Sequence, residues 1–262
     1  MTLTNENYYS LEANREYMSV SQYKQFMSCE AAAMAQLNGE WETEKSTAML
    51  IGSYVDAWIE GTLPEFLENH PELFKKNGEL RAEFQKAEEV IEVIKNDDGF
   101  LPYRSGEKQV ILTAELFGTL WKIKMDDYDK GVKITDWKVM RSMERIMGKS
   151  FVEHWGYDLQ MAIYGAVVKK NTGLNLETNL SVVTKEEPPD KDIINIPEWR
   201  KEDLLNEVER NMPHILSVKL GEIPPQRCGV CKYCRATKKI TEPIDFEMVG
   251  LSYAERRAIL GV

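Results

Sequence analysis

The stretch WKIKMDDYDKGVKITDWK (Trp121–Lys138) decides the fold. At its start, Trp121, Ile123 and Met125 alternate with lysines, which is the period of a half-buried β-strand. Residues 127–131 are typical of a turn, and residues 132–138 predict another strand. Because residues 109–117 also have strand character, the sequence predicts a meander of three strands.

The same stretch carries two carboxylates and a lysine at one end of the meander. Side chains two residues apart share a face of a strand, so Asp136 and Lys138 point the same way. Asp126 ends the preceding strand, and antiparallel pairing would bring it beside Asp136. Such a group suits metal-assisted phosphodiester hydrolysis, because Mg²⁺ prefers oxygen ligands and a lysine can orient or deprotonate the attacking water. An exposed charged pair at a strand end is the alternative.

The remaining pattern indicates an α/β protein with an N-terminal helical layer. Helices are predicted over 19–38, 47–61, 81–95 and 151–170, and a long helix over 201–220 carries Pro213 as a kink. Further strands are predicted over 177–184 and 192–196. We expect one nuclease domain over 1–262, with its core at about 47–220 and a cysteine segment at 226–240.

The composition limits the class of protein. A net charge of −10 argues against a nucleic-acid coat protein, but a local basic groove can coexist with an acidic exterior. The sequence contains no apolar run long enough for a membrane span, and residues 1–14 lack the features of a signal peptide. A cytoplasmic protein of a bacterial host is therefore expected.

The order of several motifs resembles a known superfamily. Asp126 followed ten residues later by Asp136-Trp137-Lys138 resembles the PD-(D/E)xK motif of restriction-endonuclease-like enzymes. Segments 19–29, 52–56 and 157–164 are similar to the opening helix, the acidic helix and the Gln-x-x-x-Tyr motif of the exonuclease branch. That branch includes the RecB nuclease domain, phage lambda exonuclease and RecE, and the chain resembles its phage and prophage members.

The resemblance implies a fold and a set of site residues. The expected fold is a restriction-endonuclease-like core, a central mixed sheet of about five strands flanked by helices. Catalysis is expected from Asp126, Asp136, Lys138 and Gln160, with Asp56, Asp126 and Asp136 binding Mg²⁺ or, in its place, Mn²⁺. Met125 replaces the motif's proline and Asp56 replaces the histidine of many RecB-like members, which leaves the number of metals open.

Several of these residues have a structural alternative. Asp56 could be a helix-surface carboxylate, and Gln160 could make a structural hydrogen bond. DNA contacts are predicted from Lys122, Lys124, Arg141, Ser142 and Tyr164. The two strand lysines are explained equally by an exposed face, and a tyrosine at position 164 is more often a core residue.

The resemblance further implies an exonuclease that resects linear double-stranded DNA ends, 5′ to 3′, for phage-type recombination by single-strand annealing. Its implied partners are a RecT-like annealing protein and copies of itself, in a ring of three or four subunits around DNA. A structure-specific endonuclease with the same core and a non-catalytic DNA-binding module remain alternatives.

Four cysteines suggest a second inorganic site. Cys228, Cys231 and Cys234 have C-x₂-C-x₂-C spacing, and Cys29 is the only other cysteine. This spacing suits three corners of a [4Fe–4S] cluster with a remote fourth ligand, and it also suits zinc. Some RecB-like nucleases place one cysteine before the core and three after it. The cluster is slightly favoured over zinc, and unligated thiols remain the alternative.

Overall fold

The computed structural model describes residues 1–42, 46–240, 243–251, 255 and 259. The chain divides into two compact units. The first contains Met1–Thr43, Glu115–Trp121 and Glu207–Val262, and the second contains Glu44–Ala114 and Lys122–Asn206. The single domain over 1–262 stays a prediction.

The described residues form ten α-helices, five strands and three short 3₁₀ turns. The helices are α1 (Leu11–Glu16), α2 (Val20–Ser28), α3 (Glu30–Asn38), α4 (Thr47–Glu60), α5 (Leu63–Asn69), α6 (Ala82–Lys95), α7 (Phe151–Trp155), α8 (Tyr157–Thr172), α9 (Glu198–Lys219) and α10 (Lys232–Ala236). The strands are β1 (Glu107–Leu116), β2 (Thr119–Asp129), β3 (Lys133–Met140), β4 (Glu177–Thr184) and β5 (Lys191–Asn195). The 3₁₀ turns cover Pro71–Leu73, Asp98–Tyr103 and Phe246–Met248.

The five strands form one mixed sheet in the order β1-β2-β3-β4-β5. Strands β2 and β3 pair antiparallel with Asp127 opposite Thr135, β3 and β4 run parallel, and β4 and β5 run antiparallel. The parallel pair is possible because α7 and α8 form the crossover between β3 and β4. A mixed sheet of five strands flanked by helices confirms the predicted restriction-endonuclease-like α/β fold.

The apolar core of the second unit lies between the sheet and helices α4 and α6. Trp137 of β3 and Val183 of β4 pack there, together with Ile51, Val55 and Ile91 from the helices. Neighbouring strand residues alternate between faces, so the burial of Trp137 turns Asp136 and Lys138 to the other face. The core therefore fixes the direction of the two polar side chains.

The first unit has its own packing. The Met18 N–H donates a 2.7 Å hydrogen bond to the Leu120 carbonyl, and the Tyr23 ring lies 6.2 Å from that of Trp121. The Lys219 ammonium donates to the carbonyls of Asn14 and Tyr17. These contacts connect three segments that are distant in the sequence.

The structure corrects several predicted boundaries. Strand β2 continues to Asp129, where a turn was expected from residue 127. The predicted helix 19–38 breaks at Cys29, whose backbone is extended, and the predicted helix 151–170 breaks at Gly156, whose φ of 63° suits glycine. Pro213 lies inside α9, which continues through it. Among the described residues, no helix is both long and apolar enough to cross a membrane.

Candidate active site

Asp136 lies at the centre of a polar cluster in the second unit. Its side chain is 2% exposed, and its Oδ2 forms an ion pair with the Lys138 ammonium. Its Oδ1 accepts a 2.6 Å hydrogen bond from the Gln160 Nε2 of α8. The structure thus brings together three residues that the sequence placed in the site on two different elements.

Asp126 joins the cluster from β2. Asp127 pairs with Thr135, so Asp126 and Asp136 lie one step further along the same two strands. The Asp126 Oδ2 accepts a 2.9 Å hydrogen bond from the Trp137 backbone N–H, and its Oδ1 accepts a 3.4 Å hydrogen bond from Gln109. This cross-strand bond fixes the carboxylate beside β3.

Helix α4 adds Asp56 and Glu60, which lie one turn apart. Ser46 caps the helix start, Gly61 ends it in the left-handed conformation, and burial of Tyr54 and Val55 fixes its rotation. Asp56, Glu60 and Asp126 line one narrow recess. Asp56, the third acidic residue predicted for the site, therefore does lie near the meander.

Burial and mutual repulsion shift the carboxyl groups of this cluster. Desolvation raises the pKa of Asp56 well above its usual range, and the neighbouring Asp126 raises it further. Desolvation also raises the pKa of Asp136, with Asp126 adding to the effect and Lys138 opposing it. A cation in the cluster would relieve both effects.

Lys138 supplies the positive charge of the cluster. Burial alone would lower the pKa of Lys138, but Asp136 and Asp126 reverse this and raise it well above its usual value. The ammonium donates a 3.2 Å hydrogen bond to the Trp137 carbonyl and lies 5.1 Å from the centre of the Tyr157 ring. Lys138 is thus held as a cation, on a fixed stem, against the carboxylates.

The donor set fits a hard divalent cation. The negative charge of the three aspartates exceeds the positive charge of the one lysine. Each aspartate offers carboxylate oxygens as ligands. The buried Asp136 Oδ2 contacts Lys138 but accepts no well-aligned hydrogen bond from the described residues, so it keeps a lone pair for a metal. In the described part of the chain, these oxygens do not gather as closely as the four cysteine sulfurs do. The cluster therefore offers a donor set that suits a hard divalent cation.

Two residues predicted to contact DNA are buried instead. Lys122 is 1% exposed, and Tyr164 is 8% exposed and donates a 3.0 Å hydrogen bond to the Lys124 carbonyl. Because both side chains lie in the packed interior, they are poorly placed to contact a DNA backbone. Lys124 and Ser142 are half-buried and Arg141 is exposed, so these three stay predictions.

Asp127, which the sequence placed in a turn, is fully buried. Its two carboxylate oxygens accept 3.1 Å hydrogen bonds from the Gly106 N–H, and its Oδ2 forms an ion pair with Lys108. A Cβ at position 106 would lie 2.5 Å from the Asp127 Oδ1, so this contact requires glycine. Asp127 therefore ties the start of β1 to the strand that carries Asp126.

Sequence reasoning missed three residues of the cluster: Glu60, Gln109 and Tyr157. Glu60 follows Asp56 by four residues, which predicts a shared helix face. Tyr157 precedes Gln160 by three, which predicts the same for α8. Gln109 carried no usable signal, because its role depends on a left-handed backbone (φ 53°) that is rare for residues other than glycine.

Comparison with known proteins places the chain in a family. The model of a PDDEXK-like domain of unknown function matches residues 19–237. The chain belongs to this PDDEXK-like family. A solved structure named "Putative exonuclease", from Eubacterium rectale, is 48% identical, with a TM-score of 0.91 over 95% of this chain and 99% of the other.

A second solved structure, that of SSO0001, is 13% identical over 86% of this chain and 98% of its own, with a TM-score of 0.32. No protein of curated function matches the chain.

Proposed function

We propose that this PDDEXK-like protein is a divalent-metal-dependent deoxyribonuclease that degrades linear double-stranded DNA from its ends. The observation that carries the proposal is the contact of Asp136 with both Lys138 and Gln160, beside Asp126. Membership of the PDDEXK-like family and a relative named as an exonuclease support nuclease activity. Exonuclease action on DNA ends is the finer part of the proposal.

Asp126 and Asp136 are the proposed metal ligands, with Asp56 as a further one. Mg²⁺ is the proposed ion and Mn²⁺ its substitute, because every ligand is a carboxylate oxygen. A bound divalent ion lowers the pKa of water and offsets charge on the scissile phosphate. Hydrogen bonds from Trp137 and Gln160 hold the carboxylates of Asp126 and Asp136, respectively.

Lys138 is the proposed catalytic cation. Its raised pKa keeps it protonated at neutral pH, so it suits stabilising negative charge on the phosphate and orienting the attacking water. Gln160 is the proposed positioning residue, because it touches Asp136 in the structure. Its amide holds one carboxylate oxygen and leaves the other toward Lys138.

Polarity, assembly and partner are proposed from the resemblance of the motif order to phage-type exonucleases. We propose 5′ to 3′ resection, a ring of three or four copies around DNA, and cooperation with a RecT-like single-strand annealing protein. Duplexes labelled at one 5′ or 3′ end test polarity, and light scattering tests the ring. Early loss of the 3′ label, or a monomer in solution, would contradict the respective proposal.

One assay tests the central proposal. Purified protein is given Mg²⁺ with linear or covalently closed circular duplex, and released nucleotides are measured. We expect release from linear DNA alone. Cleavage of circular DNA would point to an endonuclease. A protein that binds DNA but cleaves neither substrate would point to a binding module.

Lys138→Ala tests the site itself. The variant should lose turnover but retain DNA affinity in a fluorescence anisotropy titration. Lys130→Ala, which removes an exposed lysine from the turn between β2 and β3, is the matched control and should keep full activity. Wild-type rates in Lys138→Ala would refute the assignment.

A further inference from the structure

The four cysteines of the first unit come together from distant positions in the chain. Cys29 lies between α2 and α3, and the other three lie in the segment 228–234. All four sulfurs lie within 4.8 Å of one another. The Cys29 and Cys234 sulfurs are 3.6 Å apart, and those of Cys228 and Cys234 are 4.0 Å apart.

These distances discriminate between the groups that four cysteines can bind. A disulfide needs sulfurs about 2 Å apart, so none of the measured pairs is one. Four thiolates around one zinc ion, each about 2.3 Å from it, are about 3.8 Å apart in a tetrahedron. A [4Fe–4S] cluster bonds each thiolate to a different iron, which spreads the sulfurs to about 6 Å. The observed spacing fits a single ion and is too small for a cluster.

The backbone around the sulfurs also suits thiolates. The N–H groups of Cys228, Cys231 and Cys234 donate 3.4 Å hydrogen bonds to the sulfurs of Cys29, Cys228 and Cys231, respectively. Hydrogen bonds of this kind orient metal ligands and stabilise their negative charge. They connect the four residues in chain order.

The packing around the cysteines is small. Cys29, Ala31 and Cys234 are its buried residues, with only partly buried neighbours around them. Just before the segment, Gln226 accepts a 3.0 Å hydrogen bond from the Ala31 N–H and donates a 2.8 Å hydrogen bond from its own N–H to the Glu30 Oε2. A core of this size contributes little, so a structural ion would supply much of the stability here.

We infer that Cys29, Cys228, Cys231 and Cys234 bind one tetrahedral zinc ion, in place of the [4Fe–4S] cluster that their sequence spacing favoured. The ion joins the segment 228–234 to the junction of α2 and α3. Because four protein sulfurs fill all four coordination positions of the zinc, the ion has no position left for a substrate or water. The site is therefore structural rather than catalytic. The inference is independent of the proposed nuclease activity.

Metal analysis of the full chain tests it. Protein purified without oxygen, from cells supplied with iron and zinc, should be colourless and contain about one zinc per chain without acid-labile sulfide. Exchange with Co²⁺ should give the absorption of a tetrahedral tetrathiolate complex. A brown protein with iron and sulfide, or a metal-free protein with four reactive thiols, would overturn the inference.

Variants assign the ion to these residues. Cys29→Ser should lower zinc content at least about tenfold and lower the melting temperature. Ser28→Ala, which changes the exposed neighbouring residue, should retain zinc and melt like the wild type. If Cys29→Ser does not fold, the wild type decides: Cys228 and Cys231 line an open cleft of about 380 Å³, so a chelator can reach the site. Chelation should release zinc and lower the melting temperature, and an unchanged melting temperature would contradict a structural ion.

Discussion

The Gln160 Nε2 donates a 2.6 Å hydrogen bond to the Asp136 Oδ1, although 24 residues separate them in the chain. This bond connects the helix after the meander to the carboxylate at its centre. At this distance Gln160 can orient the Asp136 carboxylate. We therefore propose that Gln160 acts through the carboxylate it holds.

Replacing Gln160 by alanine should lower kcat by about 10- to 100-fold, the usual cost of removing a group that orients a metal ligand. The Mg²⁺ concentration needed for half-maximal rate should rise as well. Glu should be worse than Ala at this position, because it places a carboxylate against Asp136. Steady-state rates over a Mg²⁺ titration check both. Gln85→Ala, on the exposed side of α6, is the control and should change neither quantity.

Binding of a divalent cation should stabilise the protein, and more so at high pH. Burial raises the pKa of Asp136 from 3.8 to about 7, so the folded metal-free protein holds this proton more tightly than the unfolded chain does. Stability from this group is therefore greatest below about pH 4 and is lost as the pH rises toward about 7. Above that window the Asp136 carboxyl is deprotonated and can bind a metal ion. Below it a proton competes with the metal ion for the carboxyl.

The gain in melting temperature on adding Mg²⁺ should accordingly be larger at about pH 8 than at about pH 5.5. At 100 times the dissociation constant the added stability is about 2.7 kcal/mol. Asp136→Asn should lose most of this gain, whereas Asp129→Asn, a carboxylate of the same sheet outside the cluster, should keep it. An equal gain in wild type and Asp136→Asn, measured by differential scanning fluorimetry, would place the metal elsewhere.

The ion pair between the buried Asp158 and the half-buried Arg200 should support α8, the helix that carries Gln160. Asp158 is 3% exposed, and its Oδ2 contacts the Arg200 Nε at 2.8 Å and Nη2 at 2.7 Å. Arg200→Met leaves this buried carboxylate without its arginine, so it should lower the free energy of unfolding by about 1–3 kcal/mol, less than for a fully buried pair because Arg200 is 31% exposed. In an Asp158→Asn background the same change should cost clearly less. Equal costs in a urea-unfolding cycle would show that the two residues are not coupled.

The sheet and most of the cluster could be predicted from the sequence, because both depend on how apolar and polar residues alternate along single strands and helices. Alternation along β2 and β3 indicates which residues share a face, and register then brings Asp126 beside Asp136. The helix breaks at Cys29 and Gly156 were missed, because the flanking residues keep helical character on both sides. Backbone conformation at one position decided each break.

Charged residues were predicted less well than apolar ones. Lys122 was predicted to contact DNA or lie on an exposed strand face, and Asp127 was predicted to lie in a turn, yet both are buried. Asp127 is compensated by Lys108 and Gly106, which lie about twenty residues earlier. Sequence periodicity does not contain such long-range pairs, so burial of a charge could not be predicted from it. For the same reason, the distances between the four cysteine sulfurs could not be predicted from the sequence.

Lys122 provides a final prediction from this burial. Desolvation lowers the pKa of Lys122 from 10.5 to about 8, so between these values the unfolded chain binds the proton and the folded protein does not. The group therefore makes the protein more stable as the pH rises from about 8 toward 10.5, and less stable below that window.

Lys122→Met should remove this dependence and stabilise the protein at pH 7 relative to the wild type. Chemical unfolding of both proteins at pH 7 and at pH 10 measures the difference. Lys130→Met, at the exposed turn, is the control and should follow the wild type at both values. A Lys122→Met protein that is less stable than wild type at pH 7 would show that the contacts of the ammonium outweigh its desolvation.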